Sequence, residues 1–208
     1  MTYLSTTYFG PVQWYQKLNR ADECFMEGCE HYQKQTYRNR MVIATTGGLQ
    51  SLSIPVTTDG SSLSRTPIRD VRISDHGHWR HLHWNALCSA YGESPFFDYY
   101  RDDLAPFFER RWDFLFDFNM ALTEKMCELL DIAPRLRITE DYRPATDLSS
   151  AEAANDYRDA IRPKHPRPDS TFTPRPYYQV YRQKWGFQPN LSILDLLFNE
   201  GNEAVLYL

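Results

Sequence analysis

Residues 31–40 read His31-Tyr32-Gln33-Lys34-Gln35-Thr36-Tyr37-Arg38-Asn39-Arg40, a run of hydrogen-bonding, cationic and aromatic groups in a chain of formal net charge −4. The run has no aliphatic periodicity to bury and no Gly or Pro to turn the chain. No acidic residue within it balances Lys34, Arg38 and Arg40. Cations placed so close together must be solvated or meet an anion, because an unpaired buried cation is costly. A phosphate or carboxylate is the natural partner: arginine offers it a planar fork, and Tyr32 and Tyr37 can stack on a sugar or base. The competing reading is a solvated loop or strand edge. If the cations repel one another, removing Arg38 or Arg40 should weaken anion binding and leave the melting temperature nearly unchanged.

Two further groups of residues could do chemistry. His76, His78, His81 and His83 resemble a metal pattern, and a helix start could bring His78 and His81 together with Asp75, but the run lacks a regular ligand spacing and reads as surface histidines, so no metal is assigned. His83 differs, because its helical neighbours Trp79, Ala86 and Leu87 are apolar; it is either a satisfied core histidine or a desolvated acid/base. Near the C-terminus, Ser192, Asp195 and Asn199 form a polar stripe on a helix otherwise built of Leu, Ile and Phe, which must face water or line an internal cleft. Glu200 and Gly201 close that helix. Cys24, Cys29, Cys88 and Cys127 form no CxxC pair, so they read as reduced thiols. No nucleotide-loop, metalloprotease or nucleophile-elbow motif is present, and no cofactor is evident.

These groups need a scaffold. The 208 residues suffice for one core, and the reading is a single domain over residues 1–208. Residues 6–9 read as a strand, 12–19 as a helix and 23–26 as a second strand, a β-α-β opening. Residues 41–43 pair with 49–56 across Gly47-Gly48 as a hairpin. Ile68, Val71 and Ile73 mark another strand. The period then becomes helical from His78 to about Gly92, and again over residues 102–130, where Asp102 or Asp103 caps and Pro106 falls in the first turn. Residues 137–139 add a strand. Residues 143–176 are interrupted by six prolines and form an arm or lid. Residues 177–181 are strand-like, and Asn190 caps a last helix over 191–199. The fold class is therefore α/β: a mixed sheet with a Rossmann-like opening, a hairpin, and a helical second half with a C-terminal strand-helix-strand.

The acidic balance and a pI near 5.9 argue against DNA as a partner. No apolar run is long enough to insert in a membrane, and no leader is evident at the N-terminus, so the chain reads as cytoplasmic.

The strings Tyr8-Phe9-Gly10-Pro11-Val12-Gln13, Ala21-Asp22, residues 31–40, His83-Trp84, Ser94-Pro95-Phe96-Phe97 and Gly186 to Ser192 through Phe198-Asn199-Glu200-Gly201 together resemble the WbqC-like family of bacterial proteins. The resemblance covers nearly the whole chain, with Gly10 standing where the family pattern usually has a second Pro; His83 falls on the pattern, whereas His76, His78 and His81 do not. It implies a place in surface-polysaccharide and O-antigen gene clusters and a transferase of acyl or aminoacyl groups, glycine in one branch, onto a nucleotide- or lipid-linked sugar. On that reading Lys34, Arg38 and Arg40 grip phosphates of an anionic substrate such as a nucleotide-sugar. Tyr32, Tyr37 and Trp84 lie against sugar or base. Gln13, Gln33, Asn39, Asn190 and Asn199, with Glu200 beside them, read hydroxyls. His31 or His83 is the general base, oriented by Asp195. The rival reading is a non-catalytic nucleotide-sugar-binding or accessory protein. A weaker, fold-level analogy to Rossmann-like nucleotidylyl and aminoacyl-activating enzymes would place residues 31–40 at the ends of the first strands.

Overall fold

Strand β1 (Thr2–Ser5), helix α1 (Val12–Arg20) and strand β2 (Cys24–Glu27) form the β-α-β opening, the two strands running parallel with Ser5 opposite Glu27. The computed structural model describes residues 1–60 and 62–208. The first strand lies earlier than residues 6–9. Every residue of β1 is buried, so it shows no alternation for a period-two reading to find. Residues 6–9 instead form the loop into α1, with Phe9 at φ 43 and the Tyr8 N–H donated to Tyr37 O at 2.9 Å.

The hairpin is β3 (Arg40–Thr45) and β4 (Gly48–Ser53), and Gly48 supplies the positive φ of 105 that its turn requires. The short β5 (Val56–Thr57) pairs with β6 (Arg72–Ile73). The expected strand through Ile68 and Val71 is mostly a 3₁₀ turn over Ile68–Asp70, which buries both side chains without strand pairing.

Helix α2 (Trp79–Tyr91) stands as expected, but the helical region after it is two helices, α3 (Phe97–Glu109) and α4 (Leu115–Leu129). Neither Asp102 nor Asp103 caps, and Pro106 sits deep inside α3. The break at residues 110–114 has a cause: Asp113 O accepts the Ile73 N–H and Leu115 donates to Val71 O, so the chain leaves the helix to line the edge of β6. β7 (Leu136–Ile138) then joins β2 in parallel, giving a three-stranded sheet of order β1-β2-β7 with β2 in the centre.

The proline-rich segment carries one short helix, α5 (Ser150–Ala153), held by a Ser149/Glu152 capping box. It is strapped to the body. Tyr3 exchanges backbone hydrogen bonds with Asn155 and Tyr157, and Asp169 reaches α1, accepting from Lys17 Nζ at 2.7 Å and Gln13 Nε2 at 2.9 Å. Burial opposes ionisation of Asp169, but the hydrogen bonds from Lys17, Gln13 and Thr171 outweigh it and hold the carboxyl at about 2. Its stabilisation is therefore present above the unfolded value of 3.8 and is lost as pH falls through about 2. Asp169→Asn should loosen the arm selectively: limited proteolysis should cut within residues 162–176 several-fold faster, while the sheet stays protected.

Residues 177–181 are not a strand. The Gln179 side chain bonds the backbone of Gln188 in both directions, its carbonyl accepts from the Arg182 N–H at 3.0 Å to start the next turn, and Tyr177 turns into the core. The one-turn α6 (Arg182–Trp185) follows. Helix α7 (Ile193–Glu200) is capped by Ser192 rather than Asn190 and ends at Gly201 with φ 58. A 3₁₀ coil over Gly201–Tyr207, not a strand, completes the chain. Ile193 to Asn199 are all buried, so α7 is a core helix wrapped by α1, α3 and its own coil.

Candidate binding cleft and its buried support

At the carboxyl ends of the parallel strands the chain places charge where a core would place hydrocarbon. Arg38 is 2% exposed and forks onto Glu30, Nε to Oε1 at 2.8 Å and Nη2 to Oε2 at 2.5 Å. Its Nη2 also donates to Ser5 Oγ at 2.8 Å. Burial pushes the Glu30 carboxyl up, and Arg38 and Ser5 pull it back. Beside this pair, Glu27 accepts from Arg158 at 2.8 Å, from Thr139 Oγ1 at 2.7 Å and from the Cys29 N–H at 2.8 Å. Arg158 is forked in turn by Asp156, with 2.9 and 2.8 Å contacts. Burial works against its charge, and Asp156 and Glu27 hold it on.

This network corrects the reading of Arg38 as a cation awaiting a ligand. Its anion is Glu30, one residue before the run, and the guanidinium is structural. Glu27, Glu30, Thr139, Asp156 and Arg158 were not among the sequence candidates. The available signal was a pair of glutamates three apart, at the end of one strand and just beyond it.

In front of the network lies a cleft of about 590 Å³, lined by residues 29–34 together with Ser64 and Tyr142. It opens off the ends of β2 and β7, the edge where open parallel sheets bind ligands. His31 and Lys34 are exposed in it, and neither has a side-chain partner among the described residues. Burial pushes the Tyr32 hydroxyl up, and Arg38 and Arg40 pull it partly back. Gln33 belongs half to the arm, with Nε2 on Asp159 at 3.1 Å and Oε1 accepting from Arg162 at 2.7 Å. Arg40 bonds Ser53 at 3.0 Å and Asn39 bonds Ile54 O at 2.8 Å, both within the hairpin. Tyr37 is buried behind Arg38, against Thr6 and Thr7 in a void of about 10 Å³.

The other candidates lie elsewhere. The loop before α1 and the start of α7 meet through their backbones, the Ile193 N–H donating to Gly10 O, and the Ser192 N–H donates to Val42 O of β3, each at 2.9 Å. Their polar side chains, however, open onto separate clefts. Asn190 and Gln13 form an amide pair, and the Asn190 Oδ1 accepts the Gln13 N–H at 2.9 Å. With Val12 donating to Leu191 O, the α1 N-terminus is filled by protein where a Rossmann-type fold would hold phosphate. Gly10 belongs to this close packing, since a Cβ there would lie 2.5 Å from Thr7 Oγ1.

His83 is buried, with Nδ1 2.9 Å from the Tyr8 hydroxyl, and burial lowers its pKa to about 4. It is a core histidine. Asp195 orients neither histidine: its Oδ2 accepts from Tyr177 at 2.6 Å and from Gln179 at 2.8 Å, and burial raises its pKa to about 6 against those bonds. Trp84 packs on Phe108 with centroids 5.3 Å apart, in a cleft shared with His78 and His81. The Asp75 carboxylate there is taken by Arg80 and by Arg111 at 2.9 Å. No group of three His, Cys, Asp or Glu placed to hold a metal occurs among the described residues. Asn199 and Glu200 line a third cleft, beside Phe96 and Tyr99. All four cysteines are free, and burial pushes Cys24 and Cys127 up to about 12. No helix among the described residues is long and apolar enough to cross a membrane.

A family model described as the WbqC-like protein family matches residues 6–207. An uncharacterized protein of Mycobacterium tuberculosis is 33% identical over 206 residues, covering 90% of this chain and 88% of that protein. No solved structure matches the chain.

Proposed function

The chain belongs to the WbqC-like protein family, and from that premise we propose that it transfers an acyl or aminoacyl group, glycine among them, onto a nucleotide- or lipid-linked sugar in bacterial surface-polysaccharide biosynthesis. One observation carries the reading: an uncommitted lysine and an uncommitted histidine share a cleft at the carboxyl edge of a parallel sheet. Lys34 supplies the mobile positive charge for a phosphate, while Arg38 behind it is committed to Glu30 and holds the wall in place. His31 is the exposed base. It takes the proton from the accepting amine or hydroxyl as that group attacks the acyl carbonyl and the donor's leaving group departs. Tyr32 and Tyr142 offer aromatic surface to the sugar or base.

Thermal shifts with a nucleotide-sugar, coenzyme A and aminoacyl donors test this, because a ligand that binds only the folded state raises the melting temperature. Lys34→Ala should weaken binding of the effective anion by about 1.5–3 kcal/mol, the range for a bond to a charged group, with the unliganded melting temperature unchanged. His31→Ala should leave affinity nearly intact and remove turnover. Binding without turnover by the native protein would identify a binding module instead. Anion binding unaffected by Lys34→Ala would place the site elsewhere.

A further inference from the structure

We propose that the cleft between the start of α3 and the end of α7 binds a protonated amine. Two strings conspicuous in the sequence, Ser94-Pro95-Phe96-Phe97 and Asn199-Glu200-Gly201, build it from opposite sides. The Phe96 N–H donates to Phe198 O at 3.0 Å. The Phe96 ring lies over Gly201, where a Cβ would come within 2.8 Å of it, so only glycine lets the two segments close this far. The cleft they enclose is about 470 Å³.

Its chemistry is the opposite of the Lys34 cleft. Asn199 is 4% exposed, and its Nδ2 donates to Asp195 O at 2.7 Å, which fixes the orientation of the amide. Its Oδ1 has no donor among the described residues. A buried acceptor left unpaired costs free energy, so an occupant that brings an N–H there is favoured. The only charged side chains in the lining are Glu200 and Glu203. Glu200 is fixed, accepting from the Tyr178 N–H at 2.9 Å and from the Tyr207 hydroxyl at 3.2 Å; Glu203 is exposed, with no ion-pair partner among the described residues. Tyr99 is 72% exposed and set edge-on to Tyr100, which leaves a π face open at the rim. Asn202 also lines the cleft, its Oδ1 accepting from the Tyr100 hydroxyl at 2.9 Å and its amide N–H group at the wall; two carboxylates, the Asn199 carbonyl oxygen and an open aromatic face together favour a cation over an anion.

The test uses the ¹⁵N-labelled full chain and three probes of one skeleton: benzylamine, benzyl alcohol and benzoate. Benzylamine should shift the Asn199 side-chain amide and the backbone amides of Tyr99 and Glu203 saturably. Benzyl alcohol should bind about two- to fivefold more weakly, the scale of an exposed cation–π contact, and benzoate should not bind. Glu203→Gln and Tyr99→Ala, both at exposed positions that leave the fold intact, should each weaken benzylamine by a similar factor. The proposal fails if benzylamine produces no saturable shifts there, if the three probes bind equally, or if both variants bind benzylamine as the native protein does.

Discussion

Arg38→Ala is expected to destabilise the protein by about 3–5 kcal/mol, because it removes the guanidinium that neutralises buried Glu30 and leaves Ser5 as the carboxyl's remaining hydrogen-bond donor while burial pushes it further up. For a chain of this size that amounts to a fall in melting temperature of roughly 10 °C. The charge-crowding argument from sequence points the other way, toward an unchanged melting temperature, and the structure overturns it: the one guanidinium bonds both oxygens of Glu30, and the Ser5 hydroxyl donates a third bond, to Oε2 at 3.1 Å. Glu30→Ala should be comparably damaging, and the double variant should cost less than the two single costs added, since it leaves no orphaned charge. Lys34→Ala serves as the control within the same run, with no loss of stability. Thermal or denaturant unfolding of the four variants decides the matter, and an Arg38→Ala protein that melts within a degree or so of the native one would return Arg38 to the candidate ligand contacts.

That contrast shows what was legible in the sequence. Composition located residues 31–40 as unusual, and the structure places a cleft on its first half, but composition cannot tell a cation that meets a ligand from one that meets a glutamate brought in by the fold. Lys34 and Arg38 differ in their surroundings: Tyr32, whose N–H bonds Thr66 O, anchors the run, Lys34 is left exposed, and Arg38 is buried against Glu30 and Ser5 at the end of β1. The β-α-β opening, the hairpin and the α2 helix were readable because period, glycine and capping signals are local. The β1 position and the break between α3 and α4 were not. A strand buried on both faces has no alternation, and the break exists for a pairing with residues 71–73 that no local signal encodes. The polar stripe on α7 read from sequence as facing water or lining an internal cleft; its parts are buried and diverge, Asp195 facing Tyr177 and Gln179 and Asn199 lining a separate cleft.

The two buried titratable groups once assigned to one catalytic pair make a prediction of their own. His83 is held at about 4 in the folded protein against 6.5 in the unfolded chain, so between those values the unfolded state binds the extra proton. Its contribution is fully present above pH 6.5 and is lost as pH falls toward 4. Asp195 runs oppositely. Its folded value of about 6 exceeds the 3.8 of the unfolded chain, so the folded state binds the extra proton, and stability rises as pH falls through that window. Each shift spans about two units or slightly more, on the order of 3 kcal/mol at 1.36 kcal/mol per unit. With nearly equal size and opposite sign they cancel, and the native protein should show little net dependence from this pair between pH 6.5 and 4. Removing either partner should unmask the other. Asp195→Asn, which retains an acceptor for Tyr177, should lose on the order of 3 kcal/mol of stability across that range as the solution is acidified. His83→Gln should gain a comparable amount over the same range. Denaturant unfolding of the three proteins at half-unit pH steps measures the slopes directly. Parallel curves would mean that neither group is perturbed. Curves that diverge with the signs reversed would mean that His83 is charged and Asp195 ionised in the fold, in which case their exclusion from catalysis would have to be withdrawn.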